Sequence, residues 1–209
     1  MALDNIQLNF INQSEDTNNS SIVIFQKNVA EDYNEIAVAW TVIENCGRLD
    51  NHPFLYPLQF QVSSSDSYGN FTPMLDAADG QAFEMTKTDS GDVLQLATPP
   101  AATSPFEVEI QNNLTMGSIS GNITKDGKVL STKTNIVPGQ KAAFQFHPTI
   151  WIGAVSQITQ GQIMDSAIIQ QINTELPLYG ISSADIVMTG GGSGKSSSPF
   201  KFQLANQDK

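Results

Sequence analysis

The stretch of this chain that most invites a chemical reading is Thr189-Gly190-Gly191-Gly192-Ser193-Gly194-Lys195-Ser196, which ends in the Gly-Lys-Ser of a phosphate-cradling loop. It follows the strand-like Asp185-Ile186-Val187-Met188. A phosphate loop works because its glycines let backbone amides close on the anion and a helix opens directly behind them. Here Thr189 stands where the first glycine is required, and Ser197-Ser198-Pro199 with a β-type run follows in place of a helix. The stretch reads as a flexible hairpin loop, and nucleotide hydrolysis is set aside.

Other inventories are poor. His52, His147 and Cys46 are the soft metal ligands of the chain, and no ligand-like spacing joins them. The two histidines read as hydrogen-bonding groups at strand ends. No G-x-S-x-G elbow occurs; in Gly117-Ser118-Ile119-Ser120-Gly121 the central residue is Ile119. Glu107 and Glu109 share one face of an expected strand, alternating with Phe106, Val108 and Ile110, and read as an exposed pair.

Two loops offer clustered oxygen atoms, Asp66-Ser67-Tyr68-Gly69-Asn70 and Asp76-Ala77-Ala78-Asp79-Gly80. Calcium takes six to eight oxygens, often from acidic loops, so Asp76 and Asp79 are the metal candidates. A sugar-stacking platform would draw on Trp40, Trp151, Tyr33, Tyr56, Tyr68 and Tyr179. Both tryptophans sit in apolar runs that belong to a core, whereas Tyr68 lies in a polar turn and is the ligand-binding candidate.

Charge excludes one class of partner. The chain carries 10 basic and 21 acidic residues, for a net charge of -11. Residues 1–120 hold 3 of the basic and 16 of the acidic ones, and Arg48 is the sole arginine. No basic footprint for a phosphate backbone results. Six Asn-x-Ser/Thr triplets, at Asn12, Asn18, Asn19, Asn70, Asn113 and Asn122, read as products of composition. The N-terminal MALDNIQLNF lacks a basic region followed by a long apolar run, and no stretch approaches the roughly 18 apolar residues of a membrane helix. Synthesis in the cytoplasm is the expectation, with an extracellular site if the chain is processed or exported by another route. Cys46 has no partner for a disulfide within the chain and reads as a small buried hydrophobe.

The elements that must position these residues are short β-type runs divided by Gly, Pro, Asn and Asp. Ile6, Leu8 and Phe10 alternate with polar residues. Ile36, Val38, Trp40 and Val42 fall on one face of an expected strand, and Cys46–Pro57 reads as a loop, since Pro53 and Pro57 are barred from a central strand. Lys125-Asp126-Gly127-Lys128 marks a hairpin, and Val137-Pro138-Gly139-Gln140 a further turn. Residues 163–176 have near-helical spacing ended by Pro177, with an irregular strand as the alternative. No repeat of regular period is visible.

The expected fold is all-β, an antiparallel β-sandwich of immunoglobulin-like or jelly-roll-like type with one short helix near 163–176. Residues 1–209 form a single domain, with 97–105 as the alternative boundary. The expected function is a non-catalytic structural or interaction protein that contacts another macromolecule or self-associates. The alternatives are a carbohydrate-binding module or lectin, with or without calcium, and a membrane-active β toxin.

Overall fold

The computed structural model describes residues 5–18, 20–30 and 35–209; Asn19 and Tyr33 lie outside them, as does the side chain of Ile36. The fold is all-β as expected, with one short helix, and the strands form four sheets. They belong to two compact units, between which the chain passes four times.

Unit one comprises residues 1–26, 38–58 and 148–209. Its strands are β1 (Asn5–Asn12), β2 (Ser21–Phe25), β4 (Thr41–Ile43), β5 (Asn51–Pro57), β14 (Thr149–Val155), β15 (Thr174–Pro177), β16 (Ser183–Gly191) and β17 (Ser198–Asp208). Helix α1 (Ser166–Gln171) precedes β15. Two four-stranded sheets result, ordered β17-β16-β1-β5 and β15-β14-β2-β4. Leu8, Phe10, Ile22, Ile24 and Trp40 are fully buried, and Trp40 meets Tyr56 edge-on at 5.9 Å between ring centroids.

Unit two comprises residues 27–37 and 59–147. It contains β3 (Glu35–Ala37), β6 (Phe60–Asp66), β7 (Leu75–Ala77), β8 (Gln81–Thr88), β9 (Gly91–Ala101), β10 (Val108–Asn112), β11 (Ile119–Lys125), β12 (Lys128–Ile136) and β13 (Lys141–Phe144). Its sheets are ordered β13-β10-β8-β9 and β3-β12-β11-β6-β7. Ile110, Ile123, Leu130, Ile136 and Phe144 form its core. Each such side chain contributes roughly 1.5–3 kcal/mol by leaving water. The β11–β12 hairpin turns at Asp126 and Gly127, both at positive φ, the pair of conformations a tight hairpin requires.

The two units have the same topology. Sheet β13-β10-β8-β9 matches β5-β1-β16-β17 strand for strand. In both, the outer pairs are antiparallel and the central pair, β8·β10 or β1·β16, is parallel. Order β12-β11-β6-β7 matches β4-β2-β14-β15, with β3 added at one edge. Register agrees residue by residue: Asn112 lies opposite Met85 and Asn12 opposite Met188, while Phe83 faces Leu96 as Ile186 faces Leu204. Met85-Thr86 and Gln95-Leu96-Ala97 recur as Met188-Thr189 and Gln203-Leu204-Ala205. The repeat missed in the sequence is thus present in permuted form. Unit two is built in chain order from β6–β9 and β10–β13. Unit one takes the matching halves from opposite ends of the chain, β14–β17 and β1, β2, β4 and β5.

Several local expectations need correction. The run Ile36–Ile43 is two strands, β3 and β4, because the chain leaves unit two for unit one within it. Asn51–Pro57 is a strand, at a sheet edge where Pro53 and Pro57 are tolerated. Residues 163–176 hold both α1 and the start of β15. Asp165 caps the helix by accepting from the Ile168 amide. Phe106 precedes β10 and is exposed, while Glu109 is buried. Glu109 accepts from Lys141 Nζ at 2.7 Å and the Thr103 amide at 2.9 Å, so its strand neighbour supplies what solvent would have. Burial raises its carboxyl, and these hydrogen bonds outweigh that and leave it below its ordinary value. Residues 97–105 form the end of β9 and the start of its connection to β10, all inside unit two. Asn12 and Asn122 are buried in strands, which suits the compositional reading of those two triplets.

In unit one the end of β17 and the start of β1 lie on either side of β16. Ser182 receives the Gln7 amide bond at its carbonyl and donates its own amide to Asp208. The equivalent positions in unit two are joined by Ala102–Glu107. A circular permutant that joins residue 208 to residue 5 through a linker of that length, opened between His147 and Pro148, therefore keeps the fold. Its circular dichroism and cooperative unfolding should match the parent; a molten product would show that the shared topology does not carry shared folding information.

Candidate functional site

One end of unit two opens into a cleft of about 700 Å3. Met85, Leu94 and Ile119, all buried, line its depth. Its rim carries Tyr68, Phe71 and Met116, which are 90%, 68% and 79% exposed. Three large apolar side chains held in water around one concavity are costly to keep unless something covers them. Of these the sequence singled out Tyr68 alone. Met116 had a legible signal, since with Leu114 it interrupts the otherwise polar run Asn112-Asn113-Leu114-Thr115-Met116-Gly117-Ser118.

Two polar anchors shape the rim. The first is Asp66 at the end of β6. Its Oδ1 accepts from the Tyr68 amide at 2.8 Å and the Asn70 amide at 2.9 Å, and its Oδ2 accepts from Asn70 Nδ2 at 2.8 Å. The hydrogen bond from the Asn70 side chain, helped by the backbone amides, holds the Asp66 carboxyl below the usual carboxylate range. Gly69 takes the left-handed conformation that this turn requires, φ 86°. Thr72 then rejoins the sheet, its amide donating to the Ser64 carbonyl and its Oγ1 accepting from the Ser64 amide.

The second anchor is Asn112, fully buried at the end of β10. Its Nδ2 donates to the carbonyls of Gly117 at 2.9 Å and Ile136 at 2.8 Å, and its Oδ1 accepts from the Leu114 amide at 3.1 Å. The loop that bears Met116 is thereby tied to the end of β12. Both anchors spend their polar atoms on the protein itself. The rim offers a ligand mainly apolar and aromatic area, with the hydroxyls of Ser67, Thr115 and Ser118 among it and Lys87 and Asp92 paired across β8 and β9 at one side.

The equivalent end of unit one is different in character. A cleft of about 410 Å3 there is lined by Glu15, Asp16, Gly191, Gly192, Pro199 and Phe200. The glycine-rich motif forms its wall. Gly192 donates its amide to the Glu15 carbonyl, and the Glu15 amide donates to Gly190. A Cβ on Gly190 would lie 2.2 Å from the Pro199 carbonyl oxygen, so close backbone approach explains this glycine. With an amide committed and two carboxylates alongside, the motif is a hairpin connection, as its sequence context implied.

The remaining candidates are dispersed. Asp76, on β7, accepts from Gln61 Nε2 at 3.1 Å. Asp79, in the turn before β8, has its carboxyl raised by desolvation, with the charge of Lys125 pulling it back. Among the described residues no group of three or more His, Cys, Asp and Glu side chains is placed to hold a metal ion. Cys46 is buried, and that burial, with the charge of Asp50, raises its thiol pKa. Trp40 is core, as expected, and Trp151 is half-buried on β14. No helix among the described residues is long and apolar enough to cross a membrane. No protein-family model matches this chain, and neither a similar curated protein nor a similar solved structure is found.

Two outcomes follow from the polar groups of unit two. Asn112→Ala strands two carbonyls and one amide, so it should lower unfolding free energy by at least about 2 kcal/mol. Denaturant titration reads the loss, and amide exchange at Leu114 should accelerate with it. Lys125 is buried beside the Phe60 ring at 4.5 Å, and burial pushes its amine down to about 7, with Asp79 pulling it back up. The unfolded chain keeps the ordinary value of 10.5 and binds the extra proton between the two. Stability from this group therefore rises as pH climbs from 7 to 10. Lys125→Met should flatten the rise of Tm over that window. It leaves the rise from Lys133, whose amine burial also lowers, set against the fall from Cys46, whose raised thiol keeps its proton longer in the folded chain.

Proposed function

We propose that this chain is a non-catalytic interaction protein whose second unit holds a polypeptide partner at the cleft rimmed by Tyr68, Phe71 and Met116. The observation that carries this reading is the exposure of those three side chains around one concavity, at the mouth of a well-packed sandwich. Aromatic residues and methionine are enriched where proteins meet, because they supply contact area that releases much water and methionine adapts its shape. The loops that present them are tied down by Asp66 and Asn112, so little ordering entropy opposes binding. Unit one supports the same view from the other side. On an equivalent scaffold its loops are acidic and glycine-rich, which makes the apolar rim a property of these loops and not of the topology.

A carbohydrate ligand is the second reading, favoured by the Tyr68 ring, which is 90% exposed and free to stack on a sugar face. Sugars also require hydrogen-bonding side chains beside the ring. Of those that line the cleft, Asp66 and Asn70 are engaged with each other, while Ser67 stands beside Tyr68 in the turn.

A displayed library of random peptides and a glycan array, each probed with the parent, Tyr68→Ala and Met116→Ala, separate the readings. Recovered apolar peptides should lose at least about tenfold in affinity with either variant, as contacts at the centre of an interface do. Glycan binding removed by Tyr68→Ala and unaffected by Met116→Ala would establish the sugar reading instead. Hits indifferent to both variants would remove the cleft from consideration. A requirement for added calcium would point to Asp66 and Asp92, the carboxylates that line the cleft, since Asp76 and Asp79 do not line it.

A further inference from the structure

A strand at the edge of a sheet presents unpaired N–H and C=O groups and will accept another strand unless short length, proline or charge prevents it. The four sheets have eight such edges among the described residues. β3, β4 and β7 are three residues long, and β13 and β15 are four. β5 carries Pro53 and Pro57, and β17 carries Pro199, Lys201 and Asp208. The exception is β9, with eleven residues and no charge from Val93 to Ala101. Its prolines, Pro99 and Pro100, stand only toward its end.

The equivalence of the two units makes the comparison with β17 direct. Val93 lies opposite Thr86, and Lys201 lies opposite Thr189 at the matching position. Where one edge has a lysine to repel an incoming strand, the other has a valine that is 37% exposed. Leu96 faces inward with its partner Phe83, yet remains 43% exposed because no further strand covers it.

We propose that β9 pairs in antiparallel fashion with β9 of a second copy of this chain, about a two-fold axis at Gln95. This goes beyond the cleft reading, since it requires no ligand there. Directly opposed residues in an antiparallel ladder share a face, so the axis must pass through a residue. Centred on Gln95, the ladder sets Leu94 against Leu96, Val93 against Ala97 and Asp92 against Thr98. Centred on Leu94 it would set Leu96 against the Asp92 carboxylate; centred on Leu96 it would set Val93 against Pro99, which has no N–H to give. The Gln95 register matches apolar residues and opposes no like charges, which is why a second copy is the occupant. An edge ladder of this length lies below the roughly 1,200 Å2 of a standard interface, so the dimer dissociates on dilution. Each copy carries a net charge of -11, so added salt strengthens it by screening that repulsion.

The test uses the full chain. Sedimentation equilibrium should show a monomer–dimer equilibrium that shifts toward dimer with concentration and with salt. Val93→Lys, which copies the guard of β17, should weaken it at least about tenfold, since a charge in the ladder must be desolvated. The Tm of that variant should match the parent's at dilutions where the parent is monomeric. Under diamide, Gln95→Cys should cross-link to itself, because opposed Cα atoms in such a ladder lie about 4.5–5.5 Å apart, within disulfide reach. Gln203→Cys, at the matching place on β17, should not. A single monomeric species at every concentration and salt, or equal cross-linking at the two positions, overturns the proposal. So does protection of the β9 amides that appears only when a library-selected peptide is added, which would assign the edge to a foreign strand. If the dimer is absent while Tyr68→Ala still abolishes peptide binding, the cleft reading stands by itself.

Discussion

Each sandwich in this chain is held at one point by a buried asparagine at the end of the central parallel pair. Asn12 donates to the Cys46 carbonyl at 2.7 Å and accepts from the Ser14 amide; Asn112 donates to Ile136 and accepts from Leu114. Their backbones repeat the pattern, with Leu49 and Gly139 donating to the two asparagine carbonyls from left-handed turns. Asparagine suits the position because one side chain supplies donors and an acceptor in a single plane. A buried amide left unpaired would cost more than its bonds return, so every partner must be in place together. That requirement fixes the strand end, the loop that leaves it and the turn packed beneath it. The rim of the unit-two cleft is one of its consequences.

The parallel pair itself imposes a second constraint. Parallel neighbours cannot be joined by a tight turn, so the chain must travel before it returns. In unit two it goes from β8 through β9 to β10 within a short segment. In unit one β1 and β16 are far apart in the sequence, and the sandwich closes only when β14 to β17 have joined the earlier strands. The same contacts thus have different loop-closure costs in the two units, small in one and large in the other.

Much of the architecture was legible, and the reason is local. Ile6, Leu8 and Phe10 alternate and are buried as their period demands; Asp126-Gly127 turns a hairpin because those residues tolerate positive φ. Errors arose where a distant residue decided the outcome. Glu109 looked solvent-facing by period and is buried because Lys141 and Thr103 satisfy it. The duplication was hidden by permutation: residues that correspond, such as Gln95-Leu96-Ala97 and Gln203-Leu204-Ala205, share register and few identities around them. Tyr68 could be chosen from the sequence as an aromatic in a polar turn. Phe71 could not, since it lay in a stretch that reads equally well as strand.

Two copies of one scaffold in a single chain also provide an internal control on what is structural. Positions that agree between the units, the asparagines and the inward Met85 and Met188, are those the topology requires. Positions that differ are released from that requirement, and the cleft loops and the β9 edge are among them. At both places unit two substitutes apolar groups for the charged or polar ones of unit one: Met116 in a loop whose counterpart holds Glu15 and Asp16, and Val93 where β17 holds Lys201. Exposed apolar side chains return nothing to the stability of the chain that bears them. Unit one has such side chains too, at Leu49, Leu55, Ile163 and Tyr179, but none of them lines its cleft. In unit two Tyr68, Phe71 and Met116 stand around one concavity, and that gathering, not exposure alone, is what supports the proposed contact with a partner.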